Sequence, residues 1–376
     1  MNTNTVYILQ DHAHLWGLMA LHSLTAFGAA CRLVSATDIA HGALLRKPPK
    51  ILLVPGGSAR QKHLALGQAG IHAIRSWVAA GGSYVGICGG AGLGLAQGIA
   101  LCQWQRRNFA TREAHLLSGH VLADCAGELI PLPVWWPARF EPKQDGTQII
   151  ATYKMPGADL WLADRAPGDR TGLWTCETAF PANQPLAVRG QFGNGSYLLS
   201  YAHPETPASE AANAWLCRLL QDFGVTARAW PAPWQTLAAL CAQSPTALAD
   251  PLRGMAKLVR TGLELSLLFP REPWLLGWRK GAPGIALNNL IACLAWQAGH
   301  DLENSRSWQQ ERHKFNALFA RFIGAAEQFL RDCAGDETCQ ANARRDRIFG
   351  HPMLGGGMAG ELLAWLEIFR LETQES

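Results

Sequence analysis

Charged residues are scarce in this sequence of 376 residues: Asp, Glu, Lys and Arg together make up 16%, and the formal net charge is +4. Proteins that bind nucleic acid carry dense basic patches that contact phosphates. The sequence has no Lys- and Arg-rich stripe with interleaved aromatic residues, so no nucleic-acid partner is expected. Hydrophobic residues make up 48%, which supports a large core and argues against general disorder.

Long apolar runs are also missing. A membrane-spanning helix needs about 20 consecutive apolar residues. The nearest approach, residues 263–276, is interrupted by Glu264, Pro270 and Arg271. The N-terminal segment lacks the basic start and apolar core of a secretory signal. We therefore expect a cytoplasmic protein with no membrane partner, whose ten cysteines are reduced thiols.

Metal-ligand clusters with consistent spacing are not found. Asp11, His12 and His14 are close in sequence, but no second cluster complements them. Cys333 and Cys339 do not form a CxxC pair. The sequence therefore predicts no metal and no cofactor.

The first part of the chain alternates between short apolar runs and helical patterns. Residues 51–54 (ILLV) are typical of a parallel strand buried on both faces. Apolar residues then recur at helical spacing over 71–78, and residues 83–87 predict the next strand. This alternation indicates a doubly wound α/β sheet. Antiparallel strands and loops are expected over 101–189.

The composition changes after residue 225. Residues 230–233 (WPAP) predict a linker, and apolar residues beyond it recur every 3.6 residues, most clearly over 315–330. We predict two domains, an α/β domain over 1–228 and an all-α domain of unknown role over 229–376. The helical domain is the expected place for a protein partner.

The segment Gly86-Ile87-Cys88-Gly89-Gly90 follows an apolar strand and precedes a predicted helix over 91–97. Such a turn is typical of a nucleophile elbow, in which glycines on both sides leave room for a sharp turn. Gly86 and Gly90 would fill that role around a nucleophilic Cys88. The alternative is a buried structural cysteine in a glycine-rich turn.

A thiol nucleophile needs a base, and the base needs an orienting group. His203 and Glu205 follow the strand predicted over 196–201, two residues apart, so Glu205 can hold the imidazole. Backbone N–H groups of Gly57 and Gly89 are candidate oxyanion donors. Taken alone, each of these segments also fits an ordinary turn.

The motifs PGG, GICGG and YLLSYAHPE, in this order, resemble class I glutamine amidotransferase-like domains. Over residues 4–224 the sequence most resembles the branch at the N-terminus of eukaryotic biotin–protein ligases. The resemblance implies a flavodoxin-like fold with Cys88 as nucleophile, His203 as base and Glu205 as its orienting group. It also implies that Gly57 and Gly89 form the oxyanion hole.

Two departures bear on the substrate. Amidotransferases of this family usually carry Gln at the position of Gly92, so weak or absent glutaminase activity is predicted for the chain without a partner. No biotin-binding segment is found, so the chain by itself is not expected to be a biotin ligase. The prediction is a cysteine-dependent amide hydrolase or acyl-transfer enzyme acting on a small amide or acyl substrate. A non-catalytic ligand-binding or regulatory module and a peptidase-like thiol hydrolase on the same fold are the alternatives.

Overall fold

The computed structural model describes residues 5–111, 113–165, 168–228, 247–279, 282–335, 342–351 and 355–374. The predicted linker over 230–233 lies outside these residues. The chain forms two compact units. The first comprises Met1–Leu162 and Asp169–Pro233, and the second comprises Ala163–Gly168 and Trp234–Ser376.

The first unit contains a large sheet, a two-stranded ribbon and seven α-helices within the described residues. Its strands are β1 (Thr5–Leu9), β2 (Ala30–Val34), β3 (Ile51–Val54), β4 (Ser83–Ile87), β5 (Gln105–Arg107), β6 (Leu117–Cys125), β7 (Glu128–Trp135), β8 (Arg139–Glu141), β9 (Gln148–Pro156), β10 (Trp161–Leu162), β11 (Pro185–Phe192) and β12 (Gly195–Ser200). Its helices are α1 (His14–Ala26), α2 (Ala36–Ala40), α3 (Ala43–Arg46), α4 (Ala59–Ala79), α5 (Gly89–Gly94), α6 (Thr171–Ala179) and α7 (Glu210–Asp222).

Five parallel strands in the order β2-β1-β3-β4-β12 form one half of the large sheet. This is the strand order of flavodoxin-like folds. Strands β3 and β4 are buried along their whole length, as their apolar sequences require between two layers of helices. The predicted doubly wound α/β architecture is confirmed.

The other half of the large sheet is antiparallel. It continues from β12 through β11, β9 and β6 to β10, and β7 pairs with β6. The β11–β12 hairpin turns at Gly193 and Asn194, where Gly193 has φ +61°. Glycine suits this turn because it adopts a positive φ without a steric cost.

Helix α5 differs from its prediction. It begins at Gly89 and ends at Gly94, whereas residues 91–97 were expected to be helical. Cys88 is the N-cap, so the helix starts directly after the nucleophile candidate rather than three residues later.

The second unit is mainly helical and includes one hairpin that the sequence pattern does not predict. Its elements are α8 (Ala249–Glu264), β13 (Leu268–Glu272), β14 (Leu275–Trp278), α9 (Gly284–Ala298), α10 (Arg306–Gly335), α11 (Asn342–Phe349) and α12 (Gly357–Gln374). The apolar stripe of α10 is buried, and Phe315 packs edge-on against Phe369 of α12. Within the described residues, none of the helices combines the length and apolar character needed to cross a membrane.

Candidate active site

Three loops meet at one edge of the large sheet because β3, β4 and β12 are parallel neighbours. Pro55-Gly56-Gly57 follows β3, Cys88 follows β4, and the segment 201–205 follows β12. Carboxyl ends of adjacent parallel strands are the usual location of sites in open α/β sheets. The fold thus brings together the three segments that the sequence analysis singled out.

Cys88 has the backbone conformation of a nucleophile elbow. Its φ of 51° and ψ of −105° are strained for a residue with a side chain, and its N–H donates a 2.7 Å hydrogen bond to Ser200 O. The flanking glycines are required sterically. A Cβ atom on Gly86 would lie 2.5 Å from Gly90 O, and one on Gly90 would lie 1.8 Å from Val54 O.

His203 and Glu205 form a fully buried pair, with side-chain exposures of 0% and a distance of 2.7 Å from Nδ1 to Oε1. The backbone of both residues is anchored: His203 N–H donates to Pro133 O at 2.8 Å, and Ser23 Oγ donates to Glu205 O at 2.6 Å. Because the carboxylate can only accept, His203 Nδ1 must be the donor. The carboxylate of Glu205 therefore accepts a hydrogen bond from the imidazole, and its role as the orienting group of a triad stays a prediction.

The electrostatics connect His203 to Cys88. Burial of the ring lowers the pKa of His203, but the electrostatic interactions with Glu205 and Cys88 outweigh that effect and raise the pKa to about 10. Cys88 also contributes a side-chain hydrogen bond to the raised pKa of His203, so the thiol and the imidazole lie close to each other. The Oε2 atom of Glu205 has no hydrogen-bond partner among the described residues.

The two candidate oxyanion donors lie against each other. A Cβ atom on Gly89 would lie 1.9 Å from Gly57 O, and Gly57 has φ +100°, so both positions require glycine. Neither the Gly57 N–H nor the Gly89 N–H donates to a protein acceptor within the described part of the chain. Their role as an oxyanion hole stays a prediction that this arrangement permits.

Two aromatic residues at this edge were missed by the sequence analysis. Trp16 of α1 packs against the His203 ring, with ring centroids 4.7 Å apart. Tyr201 is 2% exposed, and its hydroxyl has no hydrogen-bond partner among the described residues. That hydroxyl would lie 3.8 Å from a Cβ atom at Gly92. The sequence feature that could have identified Tyr201 as a residue of this site is its position at the end of a strand, two residues before His203.

Comparisons with known proteins give a likeness of fold only. No family model matches the sequence, and no curated protein is significantly similar to it. Similar solved structures include a glutamine amidotransferase (TM-score 0.39, 17% identity, 58% of this chain and 97% of that chain). PurLQS from Thermotoga maritima is comparable (TM-score 0.39, 14% identity, 59% and 99%).

An exo-β-1,4-mannosidase from an Opitutaceae bacterium also matches, with a TM-score of 0.36, 15% identity and coverage of 60% of this chain and 36% of that chain. A glutamine amidotransferase and a mannosidase therefore match at similar levels. Such similarities do not distinguish one activity from another.

Proposed function

We propose that the protein is a cysteine-dependent amide hydrolase or acyl-transfer enzyme that uses Cys88, His203 and Glu205. The buried His203–Glu205 pair, electrostatically coupled to Cys88, is the observation that carries this proposal. A structural cysteine would need neither an oriented imidazole beside it nor a strained backbone. The same proposal includes membership of the amidotransferase-like superfamily, in the biotin–protein ligase N-terminal-like branch.

The proposed reaction begins when the Cys88 sulfur bonds to the acyl carbon of a small amide and the proton of the thiol passes to His203 Nε2. The carbonyl oxygen becomes an oxyanion, which the N–H groups of Gly57 and Gly89 stabilise. The C–N bond then breaks, and the leaving amine takes a proton from His203 Nε2. The products of this half-reaction are a Cys88 thioester, a neutral His203 and a free amine.

In the second half-reaction, water or an amine attacks the thioester. His203 Nε2 accepts the proton of the attacking group and passes it to the Cys88 sulfur as the C–S bond breaks, which regenerates the thiol. Glu205 holds the imidazole throughout and stabilises its positive charge. The carboxylate of Glu205 raises the pKa of His203, which favours uptake of a proton by the ring.

The substrate class follows from the elbow. Gly92 offers no side chain to hold a glutamine substrate, and the unpaired Tyr201 hydroxyl lies beside that position. We propose that the substrate is a small amide or acyl compound that forms a hydrogen bond with the Tyr201 hydroxyl, as donor or as acceptor. Ammonia release from free glutamine should therefore be weak or absent. A protein partner bound through the helical unit remains part of the proposal as a source of the acyl group.

The test is alkylation of the full chain with iodoacetamide at pH 7, followed by mass spectrometry of the cysteine peptides. Cys31 is a matched internal control because both thiols are half-buried, and burial raises the pKa of Cys31 to about 12. We expect Cys88 to react much faster than Cys31, and His203→Ala to slow Cys88 at least tenfold. Labelling of Cys88 no faster than a free thiol would favour the ligand-binding module instead.

A further inference from the structure

A second chain of nucleophile, imidazole and carboxylate lies outside the candidate active site. His120 Nδ1 lies 2.6 Å from Asp159 Oδ2, and His120 Nε2 lies 3.0 Å from Ser209 Oγ. The sequence separations from His120 are 39 and 89 residues, so the fold alone brings these groups together. We refer to His120, Asp159 and Ser209 as the Ser209 cluster.

The hydrogen bonds of the Ser209 cluster have a fixed direction. A carboxylate only accepts, so His120 Nδ1 donates to Asp159, and in a neutral ring Nε2 then accepts from the Ser209 hydroxyl. The backbone N–H of His120 also donates to Asp159 Oδ1, at 3.2 Å. Partial burial raises the pKa of Asp159, but the hydrogen bonds from His120 outweigh it and hold that pKa below its usual value.

The backbone around Asp159 is shaped to hold this arrangement. A Cβ atom on Gly157 would lie 2.5 Å from His120 O, and one on Gly119, which has φ +119°, would lie 2.7 Å from Asp159 O. The turn that carries Asp159 can therefore lie against strand β6 only because both positions are glycine. The carboxylate reaches His120 as a consequence of this close backbone approach.

Ser209 is the N-cap residue of α7 and does not act as a cap. N-cap serines usually accept a hydrogen bond from the second or third N–H of the helix, whereas the Ser209 side chain makes no such bond. The N–H groups of Ala211 and Ala212 donate to no acceptor within the described residues. These donors therefore remain available at the N-terminus, the positive end, of the 13-residue helix that Ser209 caps in sequence.

We propose that Ser209 is the nucleophile of a second acyl-transfer site, which accepts an acyl group from a small oxygen ester or thioester. Ser209 Oγ bonds to the acyl carbon, and its proton passes to His120 Nε2. The N–H groups of Ala211 and Ala212 stabilise the oxyanion. The ester C–O or thioester C–S bond breaks, and the leaving group takes the proton from His120.

Deacylation uses the same groups. Water attacks the acyl–Ser209 ester, His120 Nε2 accepts a proton from the water and returns it to Ser209 as the C–O bond breaks. Access favours a small acyl group because Ser209 is only 8% exposed. The side chains of His120 and Asp159 are 27% and 48% exposed, so the substrate approaches from their side of the cluster.

The test uses a fluorophosphonate probe on the full chain carrying Cys88→Ala, so that the result does not depend on the thiol chemistry proposed above. Mass spectrometry should find the probe on Ser209, and His120→Gln or Asp159→Asn should lower the labelling rate at least tenfold. Ser58 is the matched control. It is the N-cap of α4, and its hydroxyl accepts from Gln61 N–H as an ordinary cap.

Hydrolysis of p-nitrophenyl acetate by the same Cys88→Ala protein gives a second readout. An initial burst of nitrophenolate that Ser209→Ala removes would support the acyl–serine intermediate. The proposal is overturned if folded Cys88→Ala protein shows no labelling of Ser209, or labels Ser209 and Ser58 alike. It is equally overturned if both His120→Gln and Asp159→Asn leave the labelling rate unchanged.

Discussion

The first unit contains two centres, one at Cys88 and one at the Ser209 cluster, and each combines a candidate nucleophile, an imidazole and a carboxylate. The two centres differ in how far these groups are exposed to solvent. The carboxylate–imidazole distances are nearly equal, 2.7 Å for Glu205–His203 and 2.6 Å for Asp159–His120. The first pair is fully buried, whereas the side chains of the second are 27% and 48% exposed. Water screens charges at the second centre. Distance alone therefore does not measure how strongly a carboxylate acts on its histidine.

The two centres also differ in how tightly the backbone encloses the proposed nucleophile. Around Cys88, glycines are in contact with backbone atoms of neighbouring loops, and the cysteine itself is strained. Around the Ser209 cluster, the close glycine contacts lie behind the carboxylate rather than beside the nucleophile. Changes near Cys88 should consequently disturb folding and reactivity together, while changes in the Ser209 cluster should affect mainly its chemistry.

The largest effect is expected for Gly90→Ala. The added Cβ would lie 1.8 Å from Val54 O, a backbone atom of β3 that can yield only if α5 moves away from the sheet. We expect a loss of about 3 kcal/mol in the free energy of unfolding, measured in urea, and loss of fast Cys88 alkylation. Gly92→Ala is the matched control, since its nearest neighbour lies at 3.7 Å. Equal stabilities for both variants would contradict this steric account.

The next largest effect is a difference in stability loss between variants of the two carboxylates, Glu205 and Asp159. Glu205→Gln removes the charge partner of a buried imidazole, and we expect it to cost roughly 2–3 kcal/mol of stability. Asp159→Asn acts on a solvent-screened pair and should cost less than about 1 kcal/mol. Urea unfolding of both variants at pH 7 measures the difference. Comparable losses would mean that burial is not what distinguishes the centres.

The same Glu205→Gln variant distinguishes the role of Glu205 in orienting the imidazole from the role of His203 in proton transfer. It should slow Cys88 alkylation less than His203→Ala does, because an amide still positions the ring. The measurement is the iodoacetamide rate of the two variants at pH 7. A loss equal to or larger than that of His203→Ala would show that His203 is not the base.

The pH dependence of stability tests the electrostatics of the buried centre. The His203 pKa is about 10 in the folded chain and about 6.5 in an unfolded one. The folded state thus binds the proton more tightly, and this contribution to stability is complete below about pH 6.5 and lost as the pH rises towards 10. The stability gap between the wild type and Glu205→Gln should accordingly narrow between pH 7 and 10. A stability gap that widens between pH 7 and 10 would contradict a His203 pKa that is raised in the folded chain.

An NMR titration of the His203 Cε1–H resonance measures the same quantity directly. Its midpoint should lie near 10 in the wild type and fall in Glu205→Gln, because the largest charge that raises the pKa is removed. Cys88→Ala should lower the midpoint by a smaller amount. A wild-type midpoint near 6.5 would contradict coupling among the three groups.

The sequence predicts the first centre and not the second for a physical reason. Cys88 and His203 each follow a strand whose apolar residues identify it as buried, and parallel order places their ends together. His120 and Asp159 meet through the register of antiparallel strands and the close approach at Gly157, which no local pattern encodes. The local sequence does not predict the contact of Trp16 with His203 either, because that contact depends on how helix α1 packs against the sheet.

The second unit shows a related limit. The apolar stripe of α10 has the period of a helix and is predicted correctly. The β13–β14 hairpin is not, because Pro270 and Glu272 interrupt the alternation expected of a strand, and the pairing itself contains a register shift between them. A short hairpin whose strands lack a regular alternation of apolar and polar residues is difficult to predict from a single sequence.

The smallest expected effect is a gain in stability. The Tyr201 hydroxyl is buried without a partner among the described residues, and an unsatisfied buried polar group costs about 1–3 kcal/mol. Tyr201→Phe should therefore raise the free energy of unfolding by about 1 kcal/mol in the ligand-free chain. If the hydroxyl is kept for substrate, the same variant should leave iodoacetamide labelling of Cys88 intact while raising the KM for a small amide. A stability loss in Tyr201→Phe would show that the hydroxyl already serves the fold, and the substrate contact would then have no support.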